Sequence, residues 1–273
     1  MSRSPVSWFA AILVATTMCL HLTAPAQAVT LLDDTFADAS RTETNLPNES
    51  AFFVGKPDDV VMLPGTLRYD IGSSSTKAHT YFAAGNQFAR LAVGDTLSVS
   101  VSLIPRVSIN LNDTSRSFRF GVFHDPSDPK QLNDTNDDGG GGNSSTPPFD
   151  PWTDAQGYAV QIAMLSEAGN TRAPFDLGKR TDLGNSSLLG SSGAYTKTSG
   201  GHPVEMAINE EYTYTMDITK TSASVTDVTM SLSQTGVGQL STFSVSDNGA
   251  DLGSAAPYDD FSFIHFRWSN DTE

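Results

Sequence analysis

Four side chains able to hold an anion or move a proton fall at one strand parity: Arg119 within Ser117 to His124, Gln161 within Tyr158 to Met164, and His265 and Arg267 within Phe261 to Trp268. If Phe118, Phe120, Val122, Tyr158, Val160, Ile162, Ile264, Phe266 and Trp268 pack a core, strand alternation sends Arg119, Phe123, Gln161, Phe263, His265 and Arg267 to the outer faces. Two arginines, a glutamine and a histidine could then share one concave face. Such a set can neutralise a negative group and accept a proton. All six are candidates for binding a ligand, and Arg119, Gln161, His265 and Arg267 are also the candidates for catalysis. The plainer reading is of solvated strand residues, with His265 a hydrogen-bonded structural residue at the end of an aromatic strand. Strand order decides between the two.

Two further patterns bear on chemistry. Asp134-Thr135-Asn136-Asp137-Asp138-Gly139 has oxygen ligands at positions 1, 3 and 5 and glycine at 6 of an EF-hand loop, making Asp134, Asn136 and Asp138 candidate calcium ligands. Position 12 is Ser145 rather than glutamate, and glycines and prolines follow instead of a helix. A solvated acidic loop is therefore the competing reading. Structural calcium is the one cofactor the pattern suggests; otherwise none is expected. Glu210 and Glu211 are adjacent, so on a strand they point to opposite faces and do not form a carboxylate pair.

The elements that must carry these residues are strands. In Leu97 to Leu103, Leu97, Val99, Val101 and Leu103 alternate with Ser98, Ser100 and Ser102, the pattern of a half-buried strand. Similar runs occur at Ala51 to Val54, Thr66 to Asp70, His79 to Ala84, Tyr212 to Thr219, Val228 to Leu232, and Phe243 with Val245, with Phe175 to Thr181 weaker. Val29 to Phe36 reads as an opening strand. Asp125 to Asp154, rich in Asp, Asn, Gly, Ser and Pro, reads as a long exposed loop, and Gly190 to Gly201 as another. No amphipathic helical window or fixed-period repeat occurs. The fold class is all-β, roughly a dozen strands in a two-sheet antiparallel sandwich or jelly roll. Its predicted core includes Leu97, Val99, Val101, Phe118, Phe120, Val160, Ile162, Tyr214, Met216, Ile218, Val228, Met230 and Leu232.

The amino terminus has the form of a secretory leader: Arg3, an apolar run from Phe9 to Leu22, and Ala26-Gln27-Ala28 as a small-residue cleavage site. Residues 1–28 read as a signal peptide and 29–273 as one sandwich domain, secreted or held at the cell surface. The single cysteine, Cys19, lies in the leader, where Thr17 and Met18 argue against a lipoprotein signal. The mature domain then has no disulfide and is held by its core. The chain carries 16 basic and 31 acidic residues, a net charge of −15, and loss of Arg3 with the leader leaves −16. With no basic stripe beyond pairs such as Lys179-Arg180, nucleic acid is not an expected partner. No stretch after the leader has the length of a membrane span.

Several segments resemble exported bacterial surface sandwiches of the concanavalin A-like lectin/glucanase superfamily. These are Leu31-Leu32-Asp33-Asp34-Thr35-Phe36, Arg41-Thr42 with Leu46-Pro47, Leu91 to Leu97, Phe118 to Phe123, Gly157-Tyr158 and Tyr212-Thr213-Tyr214. The resemblance spans the mature chain and implies a jelly-roll fold. Its activities range over lectins, carbohydrate-binding modules, hydrolases and polysaccharide lyases. The glucanase motif Glu-x-Asp-x-Glu does not occur here. The groove of the lyases, in which Arg and Gln neutralise a uronate carboxylate while His or Tyr removes the C5 proton, resembles the set Arg119, Gln161, His265 and Arg267. The lyase pattern Gln-Ile-His reads Gln161-Ile162-Ala163, so the base expected there is missing. The resemblance also implies a final strand pairing back beside the first, yet the chain ends five residues after Trp268, which predicts a fragment or an open edge on the first strand. Three functions are expected to compete: a non-catalytic module binding a polysaccharide or cell-surface glycan, a lyase acting on a uronate polymer, and a structural envelope or matrix protein. The binding module is the reading preferred.

Overall fold

The computed structural model describes residues 28–69, 76–84, 86–105, 117–126, 134, 152–163, 173–185, 187–189, 192–204, 206–253 and 255–269. The chain divides into two compact units, Met1–Thr30 and Leu31–Glu273, and residues 28–30 of the first have no regular structure. The second is built from strands β1 (Phe52–Val54), β2 (Val60–Leu63), β3 (Thr66–Tyr69), β4 (Thr76–Tyr81), β5 (Ala89–Arg90), β6 (Thr96–Leu103), β7 (Ser117–His124), β8 (Gln156–Ala163), β9 (Phe175–Arg180), β10 (Tyr195–Gly200), β11 (Tyr212–Ser222), β12 (Val225–Gln234), β13 (Gly238–Asp247), β14 (Asp260–Phe261) and β15 (Phe263–Ser269). A seven-stranded sheet has the order β1-β4-β15-β7-β8-β9-β10, and a four-stranded sheet the order β13-β12-β11-β6. Every pairing within them is antiparallel. Two small ribbons, β14-β5 and β2-β3, complete the strands.

The two large sheets pack face to face into an all-β, two-sheet antiparallel sandwich of the jelly-roll kind. Alternation sets the core. On β6, Ser98, Ser100 and Ser102 are exposed while Leu97 and Val99 are buried. On β11 and β12, Tyr214, Met216, Ile218, Val228, Met230 and Leu232 meet Phe118, Phe120, Val160 and Ile162 of the opposite sheet in one apolar cluster. Phe175 of β9 meets Tyr214 of β11 edge to face, with centroids 6.3 Å apart. The solvent face of the four-stranded sheet is held by hydroxyl pairs, Thr96 with Thr219 (2.8 Å), Ser100 with Thr215 (2.9 Å) and Ser102 with Thr213 (2.8 Å). Each such cross-strand pair contributes about 0.2–1 kcal/mol.

Three expectations are corrected. Val29 to Phe36 is not a strand. Asp34 Oδ1 accepts the N–H of Phe36 at 2.9 Å, Phe36 turns to φ 52°, and the segment packs Leu31, Leu32 and Phe36 on the core as irregular chain. Gly190 to Gly201 is not all loop, because Tyr195–Gly200 pairs with β9 as an edge strand. Trp152, near the end of the expected exposed loop, is 1% exposed. The first strand, β1, sits at the edge of the seven-stranded sheet beside β4, in keeping with the expected open edge, and β15 lies between β4 and β7.

Candidate functional site

The register of the seven-stranded sheet brings the predicted polar residues together. Arg119 on β7 faces Arg267 on β15 and Gln161 on β8. Gln161 faces Asp176 on β9, and Asp176 faces Ser199 on β10. Continuing the other way, Arg267 faces Lys77 on β4. One row of polar side chains thus crosses the face turned away from the core, and neighbours in such a row have Cα atoms about 4.5–5.5 Å apart. His265 belongs to the adjacent row, between His79 and Gly121.

This face is not bare. A second apolar cluster, Tyr81, Phe123, Trp152, Ala155, Ala159, Leu188, Leu189 and Phe263, lies over it. Phe123, Phe263 and His265 were expected on an open outer face, and all three are buried. The physical reason is that the segments around Trp152 and Leu188-Leu189 fold over the sheet and exclude water from this half of it. Gly157 makes room: a Cβ there would lie 2.1 Å from the Val122 carbonyl oxygen and 2.6 Å from the Phe123 ring.

Three arginines, Arg180 buried and Arg119 and Arg267 half-buried, fasten the cover. Arg119 Nη1 donates to the Leu189 carbonyl at 2.6 Å, and Arg267 Nη1 to the same oxygen at 3.1 Å. Arg180 Nη1 donates to the carbonyls of Trp152 (2.6 Å) and Ala155 (3.0 Å), and its Nη2 to Asn185. The Tyr195 hydroxyl donates to the Leu188 carbonyl. Arg119 and Arg267 therefore hold structure, and of the two only Arg119 also lines the depression described below.

His265 is sealed. Its ring lies parallel to His79 at 6.2 Å and edge-on to Trp152 at 5.6 Å. Neither nitrogen has a hydrogen-bond partner among the described residues. Burial first, then His79, Lys77, Arg267 and Arg180, hold its pKa well below the ordinary imidazole value. It stays neutral at pH 7 and has no path to a substrate.

The open part of the face is a shallow depression beside the cover, lined by Arg119, Gln161, Asp176, Leu189, Tyr195 and Lys197. Gly178 forms its floor, since a Cβ at that position would come within 3.1 Å of both Lys197 and Tyr195. The Ser199 hydroxyl donates to Asp176 Oδ1. Burial, and secondarily Arg119, push the Lys197 ammonium down, against the pull of Asp176. The depression presents two cations, one carboxylate, one carboxamide and an aromatic ring on a rigid sheet.

Of the calcium candidates, Asp134 is the one among the described residues. Asp134 Oδ1 accepts from Arg41 (2.9 Å) and from the Val54 N–H (3.0 Å), and Oδ2 accepts from Arg41 at 2.6 Å. The bond from Val54 ties Asp134 to the edge strand β1. Asn136 and Asp138 lie outside the described residues. Among the described residues no group of three His, Cys, Asp or Glu side chains could hold a metal ion.

No family model matches the chain, and no curated protein matches its sequence. Similar solved structures include a Lotus tetragonolobus seed lectin, 12% identical with a TM-score of 0.38 over 83% of this chain and 87% of that one. The carbohydrate recognition domain of Emp46p, in its potassium-bound form, is 10% identical with a TM-score of 0.37, over 81% and 82% of the two chains. The marine PL-14 alginate lyase from Aplysia kurodai is 9% identical with a TM-score of 0.34, over 80% and 89%. Likeness at this level transfers neither a site nor an activity.

Three residues of the depression, Asp176, Tyr195 and Lys197, are absent from the sequence-based candidates. Tyr195 and Lys197 sit on β10, whose Tyr-Thr-Lys-Thr-Ser-Gly run has no apolar alternation. The usable signal was Asp176, at the outward parity of a strand that otherwise reads as core.

Proposed function

We propose that this chain is an exported, non-catalytic glycan-binding module whose ligand lies on the depression at Arg119, Gln161, Asp176, Tyr195 and Lys197. The observation that carries the reading is the convergence of these side chains on one open patch of a rigid sheet. Arg119, Lys197 and the Gln161 amide donate hydrogen bonds, Asp176 accepts them, and the Tyr195 ring offers a flat apolar surface to a pyranose face. Sites of this kind pair a few placed polar groups with an aromatic wall. Two cations against one carboxylate favour a polysaccharide carrying acidic groups, a local preference set against the acidic charge of the whole chain. Among the described residues no helix is long and apolar enough to cross a membrane.

The lyase reading needs a base within hydrogen-bond reach of a sugar proton. His265 is enclosed by His79 and Trp152, and the Tyr195 hydroxyl already donates to Leu188 and is pushed up by burial. Binding without turnover fits both facts. The test passes purified protein over insoluble alginate, pectate and cellulose while following ultraviolet absorbance of unsaturated products. Retention on the acidic polymers without absorbance change is expected. Unsaturated products that disappear in His265→Ala would overturn the proposal.

A further inference from the structure

Lys179 near the end of β9 and Asp247 at the end of β13 meet between the two sheets. Both side chains are fully buried, with Nζ 2.7 Å from Oδ2. The Tyr158 hydroxyl donates to the same Oδ2 at 2.7 Å and accepts the Tyr258 N–H at 3.1 Å. Nζ also donates to the carbonyls of Ala255 (2.7 Å) and Ala256 (2.8 Å) and lies 4.9 Å from the centre of the Tyr258 ring. Asp247 Oδ1 is buried with no partner among the described residues.

A buried ion pair stabilises a fold no better than a well-packed apolar pair, so this one invites a chemical reading. A 2.7 Å contact from Nζ to one carboxylate oxygen sets Nζ about 3–3.5 Å from the carbonyl carbon, the separation of a near-attack arrangement. Tyr158 supplies a hydrogen-bond donor to the oxygen that would gather charge, and burial beside Asp247 keeps that hydroxyl protonated. The surrounding side chains exclude the water that would reverse the reaction.

We propose that Lys179 and Asp247 condense into an intramolecular isopeptide bond that joins the seven-stranded sheet to the four-stranded sheet. One proton passes from the ammonium to the carboxylate, leaving an amine and a carboxylic acid. The amine lone pair attacks Cγ, and charge collects on Oδ2 under the Tyr158 hydroxyl. A second proton moves from Nζ to Oδ1, which departs as water. The Nζ–Cγ bond forms, the Cγ–Oδ1 bond breaks, and one ammonium plus one carboxylate become one amide plus one water. No oxidant or metal enters. The remaining N–H keeps a carbonyl partner at Ala255 or Ala256. The link would serve where a disulfide cannot, because the only cysteine of the chain is Cys19.

The test is the mass of the purified protein, read on the denatured chain, followed by digestion and fragmentation of its peptides. The expected mass is one water below that calculated for the purified chain from its own first residue, with one branched peptide joining Lys179 to Asp247. Asp247→Ala and Lys179→Arg should each restore the full mass, and Tyr158→Phe should leave a mixture of linked and unlinked chains. Lys179→Arg and Asp247→Ala each lack a reacting group, so their full mass is expected whether or not they fold, while Tyr158→Phe is read on chain first shown by circular dichroism to be folded. Full mass in the wild-type protein overturns the proposal. So does loss of water without a branched peptide, which is the mark of a cyclised aspartate.

Discussion

His265 and His79 lie face to face across the β15–β4 pair, ring centroids 6.2 Å apart and planes within 9°. Trp152 closes over both, at 5.3 Å from His79 and 5.6 Å from His265. Two imidazoles so placed repel one another once charged, and Lys77, Arg267 and Arg180 add to the repulsion at His265.

The fold should therefore weaken in acid. The folded pKa of His265 lies well below 6.5 and its unfolded value near 6.5, so the unfolded chain binds the extra proton first. Stability is complete above pH 6.5 and falls as the pH drops below it, by up to about 1.4 kcal/mol per pH unit from this group. Urea denaturation at pH 7.5, 6.0 and 5.0 measures the slope. His265→Phe should flatten it, and an unchanged slope in that variant would assign the acid sensitivity to other groups.

Trp152→Ala should open the cover. Removing a fully buried indole typically costs about 3–5 kcal/mol, and here it also exposes both imidazoles. Histidine-directed chemical modification should then reach His265, which stays protected in the wild type. Equal protection in the variant would show that Leu188 and Leu189 alone exclude solvent.

Gln161→Ala and Arg119→Ala should separate binding from structure. Gln161 is half-buried beside the depression, and its loss should shift stability by less than about 0.5 kcal/mol while reducing retention on acidic polysaccharide. Arg119→Ala should also cost about 1 kcal/mol, since it removes one of the two bonds that the Leu189 carbonyl accepts among the described residues. Retention unaltered in both variants would move the ligand off this face.

Added calcium or a chelator should leave the melting temperature unchanged. Both oxygens of Asp134 already accept charge-assisted or backbone hydrogen bonds, so an ion would have to displace Arg41 to bind there. Differential scanning calorimetry with and without calcium checks this, and a calcium-dependent rise would place a site on this loop after all.

The strands β6, β11 and β12 were legible because one of their faces meets water, so apolar and hydroxyl residues alternate. β7 and β15 carried a subtler message. Phe123 and Phe263, at outward parity among other aromatics, read as ligand contacts on an open face, although aromatics at both parities are also the pattern of strands buried on both faces. What forms the cover was not legible, because Trp152, Leu188 and Leu189 belong to aperiodic segments. β10 was missed because an edge strand held mainly by backbone pairing needs no apolar period. Lys179-Arg180 read only as a short basic pair; both residues are buried, and a buried cation is satisfied by distant carbonyls and carboxylates that no local spacing reveals.

Those two neighbours also police the register of β9. Lys179 points into the sandwich toward Asp247, while Arg180 points the other way, under the carbonyls of Trp152 and Ala155. A slip of one residue would exchange the faces, aiming the guanidinium at the inter-sheet core and the ammonium at a nest of carbonyls shaped for a planar fork. Each cation would then meet partners shaped for the other. The pair thus acts as a checksum on strand alignment: among the ways this edge of the sheet could zip together, the one that satisfies both cations is the native one.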